Sequence, residues 1–363
     1  MAIRKVTVPE FLELSLQLPV LDVRSPGEYL HAHIPCALSL PLFTDEERKQ
    51  VGTAYKQVSR EAAIKIGLDY FGTKMRKMVE EVEGIQNPKS KIQNFASQEK
   101  SSKSIIVHCW RGGMRSGAVA WLMDLYGFEV YLLVGGYKAF RRWALLQFEK
   151  EYNFQLIGGY TGSGKTLVLQ ELKKQNEPIL DLEALAKHKG SAFGGLDMKP
   201  QPSTEHFENL LALNLFLLTK EKAQENIWVE DESQRIGLVN LPPLLWQQMR
   251  KKPLFFLDIP FQERLNYLVE EYGVYSKEQL INATVRIQKR LGGLETKTAI
   301  NALLENDIHG CFEVLLKYYD KHYLKGLHNR NDHESLTQNI NLPTVDAAHA
   351  AAILNHKNHQ QHV

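Results

Sequence analysis

From Val20 to about Trp143 the chain alternates short apolar runs with amphipathic stretches. "PVLDV", "SLPLF", "SIIVHC" and "VYLLVGGY" read as short buried strands, and helical periodicity runs from Thr44 to Val82 and again from Gly117 to Leu125. The pattern restarts at "NFQLIGGYTGSGKTLVLQELKKQ", which reads as strand, glycine-rich turn and helix. Further strands are predicted at "PILDL", "IWVEDE" and "LFFLDI", separated by helical segments such as "HFENLLALNLFLLTKEKAQ". This alternation predicts two α/β units, the second built on a parallel sheet. The first unit is placed over residues 1–148 and the second over 149–325, with a partly flexible tail over 326–363. After Asp258 the chain reads as mostly helical. The polar segment from Gln86 to Ser104 reads as an exposed loop inside the first unit. His356, His359 and His362 belong to "ILNHKNHQQHV", which reads as a frayed polar end rather than a metal site.

Length and composition narrow the class. A chain of 363 residues suits two domains, each able to bury a substantial core. With 44% hydrophobic and 24% charged residues and no long apolar run, no membrane span is expected. The opening Met-Ala-Ile-Arg-Lys lacks the apolar core of a signal peptide, so the expected location is cytoplasmic. The net charge of +2 does not mark the whole chain as a polyanion binder, and any such site must be local. Cys36, Cys109 and Cys311 are too few and scattered for a disulfide framework or a tetrahedral zinc site.

Two loops carry chemistry. "GYTGSGKT", Gly159 to Thr166, satisfies G-x-x-x-x-G-K-[ST] between a strand and a helix. Gly159, Gly162, Ser163 and Gly164 let backbone N–H groups converge on phosphate oxygens; Lys165 adds a point charge and Thr166 a hydroxyl for Mg²⁺. The acids at the end of "IWVEDE", Glu230 and Glu232, alternate onto one side of a strand and are candidate Mg²⁺ partners, either directly or at one remove. Asp181 and Glu183 in "LDLE" are further candidates of that kind.

The other loop is "HCWRGGMRS". A cysteine at the mouth of a helix, among backbone N–H groups and arginines, has a lowered pKa. Arg111 and Arg115 are placed to neutralise an anion held above Cys109. Cys36 and Cys311 lack such neighbours and read as structural. Trp110 either stacks on an exposed base or packs beneath its own loop. Lys138, Arg141 and Arg142 are candidates for nucleic-acid phosphates, or plain exposed helix charges, as are Arg286, Lys289 and Arg290.

Taken alone, "HCWRGGMRS" fits the loop of cysteine-dependent phosphatases. The upstream "VLDVRSPGEYLHAHIPCALSLPL" and downstream "LLVGGYKAFRRW" instead resemble rhodanese-type sulfurtransferase domains. Arg115 stands six residues after Cys109, where many sulfurtransferase loops place it at five, so the loop suits a phosphate-sized anion. A rhodanese-like domain fused to a P-loop NTPase-like parallel-sheet domain with a helical C-terminal extension resembles the bacterial tRNA 2-selenouridine synthase family. The resemblance runs through "PLFTDEERKQVGTAYKQ", "DLEALAKHKGSAFG" and "VEDESQRIG"; Asp231 departs from the family's usual Glu-Ser-Glu-Ser.

The resemblance implies an enzyme that converts 2-thiouridine at the wobble position of tRNA to 2-selenouridine with selenophosphate, through an S-geranyl intermediate made from geranyl diphosphate. It implies these two co-substrates rather than a tightly bound cofactor, Mg²⁺ as a candidate ion, tRNA and a selenophosphate-supplying enzyme as partners, and no membrane. We assign geranyl diphosphate to the P-loop and selenophosphate to Cys109, Arg111 and Arg115, with Cys109 either carrying selenium as a perselenide or positioning the selenophosphate for attack on C2 of the uridine. The alternatives are a cysteine-dependent phosphatase, and a P-loop kinase or NTPase with a rhodanese-like module.

Overall fold

The computed structural model describes residues 3–86, 103–221 and 225–360. Residues 87–102, most of the segment read as an exposed loop, lie outside that range, as does His362. The chain divides into two compact units, Met1–Leu146 and Gln147–Val363.

The first unit holds five strands: β1 (Arg4–Val6), β2 (Val20–Asp22), β3 (Ala37–Ser39), β4 (Ser104–His108) and β5 (Glu129–Leu133). They form one sheet in the order β1-β5-β4-β2-β3, every neighbouring pair parallel. β4 lies at the centre, and Ile105, Ile106 and Val107 are fully buried, as a strand covered on both faces requires. Cys109 follows at its carboxyl end. β1 and the helix Val8–Leu14 precede the predicted alternation; three residues are too few to show a period, and the helix starts on a Thr7 N–H donating to Glu10 at 2.8 Å. β3 ends before "LPLF", because Pro41 has no N–H to give a ladder, and Leu40, Leu42 and Phe43 are buried as loop instead. The predicted Thr44–Val82 helix is two, Asp45–Gln57 and Arg60–Gln86; the Ser59 hydroxyl accepts from the Ala62 N–H at 3.1 Å and starts the second.

The second unit contains β6 (Phe154–Gly159), β7 (Ile179–Leu180), β8 (Ile227–Glu230), a two-stranded antiparallel ribbon of β9 (Arg235–Ile236) and β10 (Val239–Asn240), then β11 (Leu254–Asp258) and β12 (Thr337–Asn341). The main sheet runs β12-β11-β6-β8-β7, all parallel. The P-loop leaves the central strand β6 where the chain turns toward either side of the sheet, the place where open α/β sheets bind ligands.

The segment read as a tail is part of this framework. β12 pairs with β11, Ile340 opposite Leu257. The "frayed" end is the helix Ala347–Gln360, whose Ala350, Ala351 and Leu354 are buried in the same apolar cluster as Val168, Leu169 and Leu172 of the P-loop helix Lys165–Lys174. Only small and scattered apolar residues mark this packing in the sequence. Between β11 and β12, the helices Phe261–Tyr272, Lys277–Arg286, Gly293–Leu304 and Ile308–His328 build a core of their own around Leu265, Leu280, Leu303 and Phe312.

Candidate functional site

In the first unit, β4 delivers Cys109 to the start of the helix Met114–Leu125. The Ser116 hydroxyl donates to Cys109 Sγ at 3.2 Å, and the N–H groups of Arg111 and Ser116 also face the sulfur. Burial pushes the thiol up, but these hydrogen bonds and the Arg115 charge outweigh it and hold Cys109 below the ordinary thiol value. The loop rests on the Gly135-Gly136 turn: the N–H of Tyr137 donates to Cys109 O at 2.9 Å and that of Lys138 to Trp110 O at 3.0 Å. Gly136 has φ +55°, and a Cβ there would stand 2.2 Å from Cys109 O, so only glycine permits this seat.

The two arginines separate in role. Arg115 Nη1 donates to Glu28 Oε2 at 2.7 Å, and the same carboxylate meets Arg48 Nε at 2.8 Å. Burial raises the Glu28 pKa, but Arg115, the Ser25 N–H and Arg48 together bring it down to about 2. Arg115 therefore acts on Cys109 as a fixed charge held by Glu28. Arg111 is exposed. Beneath the loop, buried Arg24 grips Asp22 at 2.6 Å and lies 4.0 Å from the Tyr137 ring centroid. Trp110 packs against Tyr137 at 5.4 Å yet stays 36% exposed, so it supports its loop and still presents a face. Lys138 and Arg142 are exposed one turn apart on the helix Gly136–Gln147, whereas Arg141 is half-buried.

In the second unit, Gly162 and Gly164 take φ +80° and +71°, curling the P-loop around the start of its helix. Lys165 Nζ donates to Gly159 O at 3.0 Å, and buried Ser163 leaves its hydroxyl without a protein partner. Thr166 Oγ1 donates to Glu183 Oε2 at 3.1 Å. Glu183, Glu230 and Glu232 converge, one ligand oxygen from each lying within 4.8 Å of the others, and Glu230 Oε1 is buried with no hydrogen-bond partner. Burial and the charge of Glu232 raise Glu183 to about 8; burial and the two neighbouring glutamates push Glu230 well above the carboxylate range; burial raises Glu232 as well. Three such carboxylates demand a cation or protons.

The structure separates the remaining acids. Asp181 caps the helix Leu182–Ala186, accepting from the Ala184 N–H at 2.8 Å, and also binds Gln170. Asp231 receives Arg330 at 2.9 Å and the Tyr323 hydroxyl at 3.0 Å, while that hydroxyl accepts from the Gly159 N–H at 3.2 Å. Buried Arg264 binds Asp320 through both terminal nitrogens and donates to Thr161 O at 3.1 Å, pinning the P-loop from behind. Arg264, Tyr323 and Arg330 escape motif reading because long-range packing brings them to the loops, whereas Ser116 closes the cysteine-loop motif and gains its role only from the helix turn that brings its hydroxyl to Cys109. Arg286 and Lys289 are exposed, and exposed Arg290 stands at the rim of the cavity beside the P-loop.

Comparison with known proteins agrees with the two-loop layout. A family model described as a rhodanese-like domain matches residues 7–142, and one described as the tRNA 2-selenouridine synthase AAA domain matches residues 152–342. Chains named tRNA 2-selenouridine synthase are similar over most of the length. The one from Nitrosomonas europaea is 38% identical, covering 81% of this chain and 73% of its own. Those from a Sulfurovum species and from Bdellovibrio bacteriovorus are each 33% identical, covering 84% and 86% of this chain and 87% and 90% of theirs. No helix among the described residues is long and apolar enough to cross a membrane.

Proposed function

Because this chain belongs to the tRNA 2-selenouridine synthase family, we propose that it replaces sulfur by selenium in wobble 2-thiouridine in two steps, one at each anion loop. The observation that carries this reading is the pairing of two unlike loops in one chain: a thiol held below its ordinary pKa, and a P-loop facing a carboxylate cluster.

In the first step the thiouridine sulfur attacks C1 of geranyl diphosphate. The C1–O bond breaks, diphosphate leaves with the electron pair, and the N3 proton is lost to solvent. Lys165 and the P-loop N–H groups take up the developing charge on the leaving group. The carboxylates fit a hard divalent cation: Glu230 Oε1 lacks any partner, and Glu183, Glu232 and Thr166 supply further oxygens. Mg²⁺ held by these groups would supply positive charge against the diphosphate.

In the second step selenophosphate selenium attacks C2, and the C2–S bond breaks with geranylthiolate leaving. Water then takes the phosphoryl group from selenium, releasing phosphate and 2-selenouridine. Selenium in selenophosphate is already at the selenide level, so this exchange is redox-neutral, whereas a perselenide on Cys109 would need an oxidant. Cys109, Arg111 and the loop N–H groups therefore position selenophosphate, with Trp110, Lys138, Arg141 and Arg142 toward tRNA. Glu28, the carboxylate beside this loop, is held ionised between Arg115 and Arg48 and so does not supply the proton that a phosphatase's leaving group needs.

The test is incubation with 2-thiouridine tRNA, geranyl diphosphate and selenophosphate, followed by nucleoside mass analysis. We expect S-geranyl-2-thiouridine without the selenium donor and 2-selenouridine with both. Unchanged 2-thiouridine under every donor combination would overturn the reading.

A further inference from the structure

The cavity beside the P-loop, about 720 Å³, lies wholly within the second unit, and its rim differs in chemistry from its interior. Inside stand Lys165, Thr166 and the glutamate cluster. The rim carries exposed Arg290 and His322 and half-buried Arg250 and Tyr318. These come from three elements: Arg250 ends the helix Pro243–Met249, Arg290 lies in the helical turn Gln288–Leu291, and Tyr318 and His322 stand one turn apart on Ile308–His328. Exposed Lys325 follows His322 by three residues on that helix and is its neighbour along the same side.

The two arginines are held at different points along Ile308–His328. Arg250 Nη2 donates to Gly326 O at 3.0 Å, and its guanidinium lies 5.2 Å from the Trp246 ring centroid. Arg290 is close enough to Tyr318 for its charge to act on the phenol. Tyr318 and Gly326 are eight residues apart, a rise of about 12 Å along the helix, so the two cations are spread along the rim. Between them the rings of Tyr318 and His322 meet with centroids 4.4 Å apart.

The nearby carboxylates are already engaged. Glu271 takes Lys189 at 2.6 Å, Glu313 takes Lys317 at 2.6 Å, and Asp320 takes Arg264 at 2.8 Å. Among the described residues, Arg250, Arg290 and Lys325 form no ion pair. Burial and the neighbouring Arg330 charge lower the Arg250 pKa, so this cation is kept at the rim at a cost that an incoming anion would offset. A diphosphate is short and is provided for by the P-loop. Cations spread along an opening, with aromatic rings between them, instead match a strand of nucleic acid, whose phosphates repeat and whose bases offer faces for stacking.

We propose that this rim is a docking face for single-stranded RNA: Arg250, Arg290 and Lys325 take phosphates of the tRNA loop that bears the thiouridine, and Tyr318 and His322 lie against its bases. The thiouridine sulfur is thereby presented to the donor inside the cavity. The inference rests on the P-loop holding that donor, as proposed above.

The test is the salt dependence of 2-thiouridine tRNA binding to the full chain, read by fluorescence anisotropy. Replacing both exposed cations, Arg290→Ala with Lys325→Ala, is expected to weaken binding at least about tenfold at low salt and to make the slope of log K against log salt shallower by about 1.5, the share of two phosphate contacts. The charge-keeping pair Arg290→Lys with Lys325→Arg is expected to restore the slope. Geranyl diphosphate affinity, measured by calorimetry on the same alanine variant, is expected to be unchanged. An unaltered tRNA affinity and slope, or an equal loss of geranyl diphosphate binding, overturns the inference. If the unmodified protein shows the expected tRNA behaviour at this rim yet yields no S-geranyl product, the donor reading fails and the RNA face stands.

Discussion

Glu28 and Arg115, 87 positions apart, meet at 2.7 Å and fix the helix after Cys109 to the helix Pro26–His31. The pair is mostly shielded, with side chains 12% and 23% exposed, and Glu28 titrates near 2 rather than 4.5. A depressed carboxylate adds stability that is present above its unfolded pKa and is lost as pH falls from about 4.5 toward 2. Glu28→Gln should therefore cost on the order of 2–3 kcal/mol at pH 7. The deficit should shrink as urea unfolding is repeated toward pH 3. A deficit independent of pH would contradict the assignment.

Ser116 offers a cleaner handle on the thiol, because its hydroxyl donates directly to Cys109 Sγ. Ser116→Ala should raise the midpoint of the pH profile for iodoacetamide alkylation at Cys109, toward the ordinary thiol value of about 8.5. The buried Cys311 thiol, pushed up to about 12 by burial, should react far more slowly at neutral pH, and the exposed Cys36 is followed separately by peptide mapping. An unshifted midpoint would remove Ser116 from the site.

The carboxylate cluster predicts a pH-dependent ion requirement. A raised carboxylate is neutral below its folded pKa, and Glu183 stays protonated until pH rises through about 8. Protons and a divalent cation then compete for the same oxygens. The thermal stabilisation given by Mg²⁺ should be larger at pH 8.5 than at pH 6, and Glu230→Gln should reduce it at both. Stabilisation that falls as pH rises would argue against these ligands.

β12 carries a structural prediction. Ile340 is 3% exposed in the sheet beside Leu257, inside the apolar cluster that also supports the P-loop helix. Ile340→Ala should cost about 2–4 kcal/mol and lower the Tm by several degrees. A surface-like effect under about 0.5 kcal/mol would place this strand outside the core.

Much of this was legible before the structure. The two chemical loops, their strand-loop-helix settings and the α/β class follow from apolar runs flanking glycine-rich turns, because strand burial and phosphate geometry both act locally. What escaped was non-local. β12, "TQNIN", shows little apolar pattern because it is an edge strand with Ile340 alone buried among its five residues. Arg115 looks like an anion clamp in its motif, and only folding brings Glu28 to it. Glu183 reads as a minor acid of "LDLE" until the helix Leu182–Ala186 carries it beside Thr166 and Glu230, while its neighbour Asp181 turns out to be a cap.

The division of labour between the loops is best decided by nucleoside mass analysis of two variants, Lys165→Ala and Cys109→Ser, each given 2-thiouridine tRNA, geranyl diphosphate and selenophosphate. Lys165→Ala should lose at least about a hundredfold in S-geranyl-2-thiouridine formation, yet still convert pre-formed S-geranyl tRNA to 2-selenouridine. Cys109→Ser should accumulate S-geranyl-2-thiouridine and form little 2-selenouridine. If Cys109→Ser instead blocks geranylation, or Lys165→Ala geranylates at the normal rate, the two loops do not hold the donors assigned to them.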